Sequence, residues 1–270
     1  PPTDQPPADQ PPPPQPYSTV AAAYDRLGEL VVGGWGEKPH HEKADFLTRL
    51  WSHGTAPVGS VLELACGTGL MLGELRGRGH HVVGLDRSEA MLDRARARLG
   101  PDAALVCATL PDIPVDQWFD AVISPGASLN YLTETELAAT FRSVAARLAP
   151  GGSFVFDVLS PGTMAGDGGG HVLAGDFDDT AFILAFANSP DGVRCDITWT
   201  QFVRTAPEAA APYLKSVEHH RVYRLTPGTI RTAADACGLT EQGVYDNYAF
   251  SPLDDASTVQ TWAFRLPGRR

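Results

Sequence analysis

Val61-Leu-Glu-Leu-Ala-Cys-Gly-Thr-Gly69 is the stretch that decides the fold of this 270-residue chain. Its first four residues form a short apolar run typical of a buried strand, and the Gly-x-Gly that follows predicts a tight turn into a helix. Glycine permits the backbone conformations of such a turn and lets the chain approach a ligand closely. In an open parallel sheet this turn lies at the carboxyl edge, where ligands bind. The stretch therefore predicts an α/β fold and the position of its site.

Short apolar runs and helical segments alternate on both sides of this turn. Further strands are predicted at residues 82–85, 104–106, 119–124 and 153–159, and helices at 70–76, 88–99 and 134–148. Strands separated by such helices are typical of βαβ units, which build a parallel sheet. Beyond this region we predict a glycine-rich loop at 161–176, antiparallel strands at 181–187, 194–204 and 214–225, a helix at 226–237, and two last strands at 243–250 and 258–266.

The predicted domain organisation follows these changes of pattern. Residues 1–16 hold nine prolines and are expected to be an extended or disordered tail. Residues 17–56 are predicted to form N-terminal cap helices, and residues 57–160 the cofactor-binding α/β core. Residues 161–225 are predicted to form an antiparallel β insertion, or lid, over the cleft. Residues 226–270 supply a last helix and two strands that complete the core.

Composition and charge narrow the classes of function. The chain has 32 acidic and 21 basic residues, a net charge of −11, which disfavours nucleic acid and anionic membrane surfaces as partners. No run approaches the roughly 18 apolar residues of a membrane-spanning helix, and the start of the chain does not resemble a signal peptide. The four cysteines form no CxxC pair, and we expect no metal site. These features predict a cytoplasmic protein with a small-molecule ligand, present as a monomer or homodimer.

Two acids beside the glycine turn indicate the kind of ligand. Glu63 stands four residues before Gly67, where a carboxylate would repel the pyrophosphate of a dinucleotide and attract an ammonium group. Asp86 ends the next predicted strand, 17 residues after Gly69, where an acid accepts hydrogen bonds from ribose hydroxyls. S-adenosylmethionine carries both an ammonium and a ribose. The alternatives are a solvated Glu63 at a strand end and an Asp86 that only caps a helix.

Four segments, in order and at matching spacing, resemble the class I S-adenosylmethionine-dependent methyltransferases. They are the stretch from Glu63 to Gly69, Leu85-Asp86, Phe119-Asp-Ala-Val-Ile-Ser124 and Leu148-Ala-Pro-Gly-Gly-Ser-Phe-Val-Phe-Asp157. The resemblance covers residues 17–160 well and residues 214 to the end more loosely. It implies a Rossmann-like fold with a seven-stranded, mostly parallel sheet, helices on both faces and an antiparallel β insertion over the cleft. It also implies S-adenosylmethionine as the cofactor and S-adenosylhomocysteine as the product.

The same resemblance implies a set of cofactor contacts: Tyr17, Tyr24, Glu63, Ala65, Cys66, Gly67, Gly69, Asp86, Arg87, Met91, Ala108, Thr109, Leu110 and Ser124. In this set Glu63 would hold the methionine ammonium and Asp86 the ribose, while Arg87 and Met91 would line the adenine. The chain departs from the family after the third strand. Members often carry an acid there for the adenine amino group, whereas residues 106–111 contain none.

The sequence contains candidate residues for binding and deprotonating the methyl acceptor, but they do not form a recognisable catalytic motif. The catalytic candidates are His219, His220 and Tyr131, and the candidates for substrate contact are Trp35, Asn130, Tyr131, Asp157, Trp199 and Arg221. Residues 218–226 resemble a segment of sugar N,N-dimethyltransferases from macrolide pathways. Those enzymes have a histidine at the position that corresponds to Tyr131. Strand alternation puts Glu218 and His220 on one face and His219 and Arg221 on the other, and one of these faces should look into the cleft.

Taken together, these features predict methyl transfer from S-adenosylmethionine to a nitrogen or oxygen nucleophile of a small molecule, in bacterial secondary metabolism. One alternative is an enzyme of the same fold that catalyses a cyclisation or rearrangement without methyl transfer. A nicotinamide-dependent oxidoreductase fits less well, because Glu63 and the three other segments argue against a dinucleotide. A binding module without catalysis is the remaining reading.

Overall fold

The computed structural model describes residues 17, 20–21, 24–25, 38–54, 57–164, 171–177, 179–206, 208 and 210–268. The predicted proline-rich tail, most of the first cap helix and Trp35 lie outside these residues. The strands and helices are numbered here in chain order.

Seven strands form the main sheet, in the order β10-β11-β5-β4-β1-β2-β3. The five strands from β1 to β5 pair in parallel, while β11 runs antiparallel to both β5 and β10. The predicted mostly parallel sheet is therefore confirmed. Its strands are β1 (Ser60–Leu64), β2 (His81–Asp86), β3 (Leu105–Cys107), β4 (Phe119–Ser124), β5 (Leu148–Leu159), β10 (Thr240–Asp246) and β11 (Val259–Arg265).

Helices cover both faces of this sheet because the side chains of its strands alternate between two apolar clusters. Leu62, Val122 and Phe154 pack with α4 and α6 on one face. Val61 and Val155 pack with α1 and α2 on the other. The helices are α1 (His40–Ser52), α2 (Leu70–Gly77), α3 (Glu89–Leu99), α4 (Glu134–Arg147), α5 (Pro161–Met164) and α6 (Pro227–Asp235). None of the described helices is long and apolar enough to cross a membrane.

A second sheet of four antiparallel strands, here called the lid sheet, follows β5. Its strands are β6 (His171–Phe177), β7 (Thr180–Asn188), β8 (Arg194–Arg204) and β9 (Tyr213–Tyr223), paired in this order. The prediction of a loop throughout residues 161–176 is wrong, because β6 occupies its end. As an edge strand, β6 pairs only with β7 and carries Gly175, so it lacks the strong apolar alternation of a central strand.

One face of the lid sheet is apolar and packs toward the main sheet. The buried side chains of Phe182, Leu184, Ile197 and Val222 belong to one cluster with Leu159 at the end of β5. The lid sheet is therefore anchored at the carboxyl edge of the main sheet, where the glycine turn also lies. A space remains between the two sheets, and it forms the candidate site.

Candidate active site

A cavity of about 700 Å³ lies between the glycine turn and the inner face of the lid sheet. This volume is in the usual range for a site that holds small ligands. One wall consists of residues 65–68 after β1 and residues 125–128 after β4. The opposite wall includes the lid-sheet residues Leu184, Phe186, Ile197, Trp199 and Val222.

The turn after β1 is held open toward this cavity by its backbone conformation. Ala65, Gly67 and Gly69 all have positive φ angles, of 53°, 52° and 77°. A Cβ atom at Gly67 would meet nothing within 4 Å, so there is free space in front of this residue. Asp86, at the end of β2, accepts a hydrogen bond from the Gly67 N–H at 2.8 Å and another from the Ser88 N–H at 2.8 Å. Asp86 thus fixes the turn while its carboxylate keeps lone pairs for a ligand.

Glu63 lies behind this turn and is almost fully buried, with 3% of its surface exposed. Its Oε2 atom has no hydrogen-bond partner. Burial, reinforced by the nearby Asp86 carboxylate, raises the pKa of Glu63 well above its ordinary value. A buried carboxylate oxygen without a partner is costly, which indicates that a cationic or donor group of a ligand completes this site.

A buried ion pair supports the loop after β4. The Lys43 Nζ lies 3.5 Å from the Asp157 Oδ2, and both side chains are almost completely buried. The same carboxylate accepts hydrogen bonds from the backbone N–H groups of Gly126 (3.0 Å) and Ala127. Lys43 also lies 5.1 Å from the centroid of the Tyr248 ring. This arrangement fixes one wall of the cavity to α1.

Replacing Lys43 with methionine is expected to lower the free energy of unfolding by about 3–5 kcal/mol, because a buried carboxylate loses its cationic partner. Urea unfolding measures this effect. Lys38→Met is the matched control, since Lys38 pairs with Glu42 at 3.3 Å on the surface and should cost about 1 kcal/mol or less. Equal losses in the two variants would contradict the structural importance of the buried pair.

A chain of hydrogen-bonding side chains crosses the cavity from the N-terminal segment to the lid sheet. The hydroxyl oxygens of Tyr17 and Tyr131 lie 2.6 Å apart, and the Tyr131 hydroxyl lies 3.1 Å from the His220 Nδ1. The other ring nitrogen of His220, Nε2, lies 3.4 Å from the Glu218 Oε2. Tyr17, Tyr131 and His220 all line the cavity. In the tautomer with its proton on Nε2, His220 would accept at Nδ1 from Tyr131, while its Nε2 faces Glu218 without forming a hydrogen bond in this structure.

Burial raises the pKa of both phenols. It raises the pKa of Tyr131 to about 12, although the Tyr17 hydrogen bond and the nearby Arg87 act in the opposite direction. Burial is also the main cause that raises the pKa of Tyr17 well above its ordinary value. Both hydroxyl groups therefore keep their protons near neutral pH and are available as hydrogen-bond donors.

Glu218 also binds the N-terminal segment. Its carboxylate accepts hydrogen bonds from the backbone N–H of Tyr17 at 2.5 Å and of Val20 at 3.1 Å. Glu218 is 1% exposed. The carboxylate next to His220 is thus the same one that holds Tyr17 over the cavity.

Comparisons with known proteins agree with the geometry of this site. Residues 61–152 match a family model described as a methyltransferase domain. The chain is 32% identical to the putative methyltransferase YqeM of Bacillus subtilis (strain 168) over 181 residues, which cover 65% of this chain and 68% of that protein. This chain belongs to the S-adenosylmethionine-dependent methyltransferases.

Two further similarities concern a relative and the fold. The methyltransferase is 37% identical over 121 residues to the dTDP-3-amino-3,4,6-trideoxy-alpha-D-glucopyranose N,N-dimethyltransferase of Streptomyces venezuelae. The aligned residues are 44% of this chain and 51% of that relative, so the match spans about half the length of the relative. An S-adenosylmethionine-dependent methyltransferase from Clostridium acetobutylicum ATCC 824 has a TM-score of 0.80 and 21% identity, covering 93% of this chain and 99% of that one. The predicted Rossmann-like methyltransferase fold is confirmed.

The cofactor of the methyltransferase is S-adenosylmethionine, and the residues at the turn fit it. The unpartnered Oε2 of Glu63 matches an ammonium group, and the open space at Gly67 leaves room for the ligand beside the backbone. Asp86 would hold the ribose. The cavity lining contains Tyr17, Tyr24, Ala65, Cys66 and Gly67 from the predicted cofactor set.

Other members of that set surround the turn without lining the cavity. Ser124 is fully buried, and its hydroxyl donates to the Leu64 carbonyl at 3.4 Å. The Arg87 guanidinium lies 5.4 Å from the Tyr131 ring centroid and thus faces the chain of hydrogen-bonding side chains. Gly69 precedes α2, and Met91 is buried in α3. Ala108, Thr109 and Leu110 follow β3, whose last residue pairs with Asp86, and their contacts with adenine stay a prediction.

The structure places two of the predicted acceptor-side residues of the methyltransferase away from the cavity. His219 and Arg221 lie on the outer face of β9, because side chains alternate along a strand and His220 points inward. His219 is exposed and lies 3.4 Å from the Thr198 hydroxyl, and Arg221 pairs with Asp196 at 2.6 Å. Neither residue is retained in the proposed site.

Two further predicted substrate contacts are occupied by the protein itself. The Asn130 side-chain amide donates to the Tyr223 carbonyl at 2.8 Å and accepts from the Leu159 N–H at 3.0 Å, joining the core to the lid sheet. Asp157 is fully buried in its pair with Lys43. Both side chains are thus held by contacts within the protein, and a contact with the substrate stays a prediction for each. Conversely, the predicted set omitted Glu218, although its i, i+2 spacing to His220 could have identified it.

Proposed function

We propose that this methyltransferase methylates the amine nitrogen of a small-molecule acceptor. The observation that carries the proposal is the chain from Tyr17 through Tyr131 to His220, which lines the cavity beside the cofactor turn and ends at Glu218. An alkyl amine is protonated near neutral pH and attacks a methyl group only after losing a proton. A proton-accepting chain in the cavity therefore suits an amine.

The residues of the site would bind the cofactor and align the acceptor with its methyl group. When bound, S-adenosylmethionine supplies a methyl group on a sulfonium, which is already activated for displacement. Alignment and the exclusion of water then contribute most to the rate. Glu63 and Asp86 would hold the two ends of the cofactor at the turn, while the lid sheet and Tyr17 would exclude water from the acceptor.

The proton of the acceptor ammonium would leave along the hydrogen-bonded chain. The Tyr131 Oη takes this proton while its own proton moves to the His220 Nδ1, so that Tyr131 stays a neutral phenol. His220 then becomes a cation with N–H groups on both sides of its ring. The Glu218 carboxylate, 3.4 Å from the Nε2, stabilises this cation. After the product leaves, His220 returns the proton to water.

The name of the Streptomyces venezuelae relative, an N,N-dimethyltransferase of an amino sugar, supports nitrogen as the methylated atom. The competing reading, a cyclisation or rearrangement without methyl transfer, has no observation in its favour. The two reactions differ in one measurable product, because only methyl transfer adds a methyl group to the acceptor.

We would test the proposal with S-adenosylmethionine labelled in its methyl group and a small-molecule extract of the organism that encodes the chain. We expect label in a low-molecular-mass amine, with one S-adenosylhomocysteine formed for each methyl group transferred. Label in protein or nucleic acid, or a product of unchanged mass, would overturn the proposal.

Two neighbouring histidines provide a matched pair of variants for this assay. His220→Asn removes the ring at the end of the chain and should reduce transfer by about 100-fold. His219→Asn changes the exposed neighbour on the outer face and should leave transfer within about twofold. Similar losses in both variants would exclude a specific role for the His220 ring.

We further propose a cytoplasmic location, which the four free thiols of Cys66, Cys107, Cys195 and Cys237 support.

A further inference from the structure

We propose that the acceptor is an amine with an apolar, uncharged body and one hydrogen-bond acceptor, and that the site rejects amines linked to a nucleoside diphosphate. This inference rests on the proposed function and concerns the acceptor class. It separates this chain from its Streptomyces venezuelae relative, which is named for a dTDP-sugar.

The wall opposite the cofactor turn is the first observation. The side chains of Leu184, Phe186, Ile197 and Val222, with Leu159 from β5, all line the cavity. Each is less than 10% exposed. Such a wall gains from contact with an apolar body, because water leaves both surfaces. A sugar ring or a phosphate would lose hydrogen bonds to water there without replacement.

The charges of the cavity are the second observation. Among the described lining residues three carry Lys or Arg side chains, and each has a carboxylate partner. Lys38 pairs with Glu42 at 3.3 Å, Lys43 with Asp157 at 3.5 Å and Arg98 with Asp25 at 2.5 Å.

A further lining residue, His40, is neutral near pH 7, because burial is the main cause that lowers its pKa to about 4. A diphosphate needs Arg or Lys side chains that are available for charge-assisted hydrogen bonds. In the described lining only Lys43 is committed to a buried carboxylate, while Lys38 and Arg98 each lie beside a carboxylate that would repel a phosphate.

Trp199 is the third observation. Its side chain lies beside His220 on the inner face of the lid sheet, with ring centroids 5.8 Å apart, and it is 8% exposed. The indole Nε1 has no hydrogen-bond partner, although Trp199 lines the cavity. A buried indole N–H normally has a partner. An oxygen on the acceptor, within reach of Trp199 while the amine meets Tyr131, would provide it.

Aromatic rings at the same end of the cavity suit an ammonium group. The Tyr17 ring lies 5.4 Å from Tyr24 and 4.9 Å from His220, and the Tyr24 ring lies 6.5 Å from Trp199. Aromatic faces attract cations, and this attraction is stronger where water is excluded. The acceptor would thus arrive as an ammonium at the aromatic end, with its apolar body against Leu184 and Ile197.

The test uses the full chain loaded with S-adenosylhomocysteine and calorimetric titration of two probes. The first is 4-methoxyphenethylamine, which has an amine, an apolar ring and one ether oxygen. The second is thymidine diphosphate. We expect the amine to bind at least 100-fold more tightly than the diphosphate. Tighter or equal binding of thymidine diphosphate, or failure of the amine to bind at millimolar concentration, overturns the inference.

A variant isolates the contribution of the indole N–H. Trp199→Phe keeps an apolar ring and removes the hydrogen-bond donor, so it should weaken the binding of 4-methoxyphenethylamine by about 10-fold. The same variant should bind phenethylamine, which lacks the ether oxygen, as the unchanged protein does. Equal losses for both amines would mean that Trp199 acts only through packing, and would overturn the assignment of the hydrogen bond.

The outcome for the acceptor class is distinguishable from the outcome for the proposed function. If the amine binds but no methyl group is transferred to any small molecule, the proposed methyl transfer fails while the class of ligand stands. If label enters a nucleotide-linked sugar, methyl transfer stands and the inference fails.

Discussion

Glu63→Gln is expected to weaken S-adenosylmethionine binding by about 30- to 5,000-fold and, at the same time, to stabilise the cofactor-free protein. Loss of one member of a buried charge pair costs about 2–5 kcal/mol of binding free energy. In the cofactor-free protein, however, the Glu63 carboxylate is 3% exposed, and its Oε2 has no partner. Removing this charge should raise the free energy of unfolding by about 1–3 kcal/mol at neutral pH.

The stabilisation should depend on pH with a defined sign. Burial raises the pKa of Glu63 well above its value in the unfolded chain, near 4.5. The folded state therefore binds the proton more tightly than the unfolded state. Its contribution to stability is complete below the unfolded pKa and is lost as pH rises through the raised folded pKa. Unfolding in urea at pH 4.5 and pH 8 should show a larger advantage of Glu63→Gln at pH 8.

The control for this prediction is Glu74→Gln. Glu74 also lines the cavity, but it forms a surface ion pair with Arg78 at 2.6 Å. It should change cofactor affinity by less than about threefold and stability by about 1 kcal/mol or less. Cofactor affinity that is unchanged in Glu63→Gln would exclude the ammonium contact.

Tyr131→Phe is expected to lower kcat by about 100- to 10,000-fold while the affinity for S-adenosylmethionine stays within about threefold. The substitution keeps the ring and its packing but removes the hydroxyl that contacts His220 and through which the proposed proton transfer would pass. Single-turnover rates with the identified amine, together with cofactor titration, measure the two quantities. The exposed Tyr213→Phe is the control, because its hydroxyl only accepts from Arg204 on the lid sheet.

The dependence of the methyl-transfer rate on pH distinguishes a role of Tyr131 in proton transfer from a role in packing. If Tyr131 carries the proton, the Tyr131→Phe rate should increase with pH toward the pKa of the free amine, since more acceptor then arrives already deprotonated. The unchanged protein should show a flatter profile over the same range. A higher KM with an unaltered kcat would instead show that the hydroxyl only binds the acceptor.

The sequence predicted the fold around the glycine turn well because the signals for that part of the molecule are local. The glycine turn, the strand before it and Asp86 lie within 26 residues, and their chemistry does not depend on distant contacts. The parallel order of β1 to β5 follows from the alternation of strands and helices. The edge strand β6 was missed because its residues pair on one side only.

The acceptor half depends on contacts that no local pattern contains. Strand alternation separates His219 from His220, but only the packing of the lid sheet on β5 decides which one faces the cavity. Asn130 and Asp157 follow or end core strands at the cleft, as a substrate contact would. Their partners, Tyr223 and Lys43, are 93 and 114 residues away. Partners at such sequence distances cannot be found from a local pattern.

Glu218 would limit the size of the acceptor because it links the N-terminal segment to the ring of His220. One carboxylate holds the backbone at Tyr17 and Val20 and also faces His220. A molecule too large for the cavity would have to displace the backbone at Tyr17 and Val20, which would break its hydrogen bonds with Glu218 and the contact between the Tyr17 and Tyr131 hydroxyls. Displacement of the segment would therefore also disturb the carboxylate that lies beside His220. Oversized amines would then be methylated more slowly than amines that leave the segment in place.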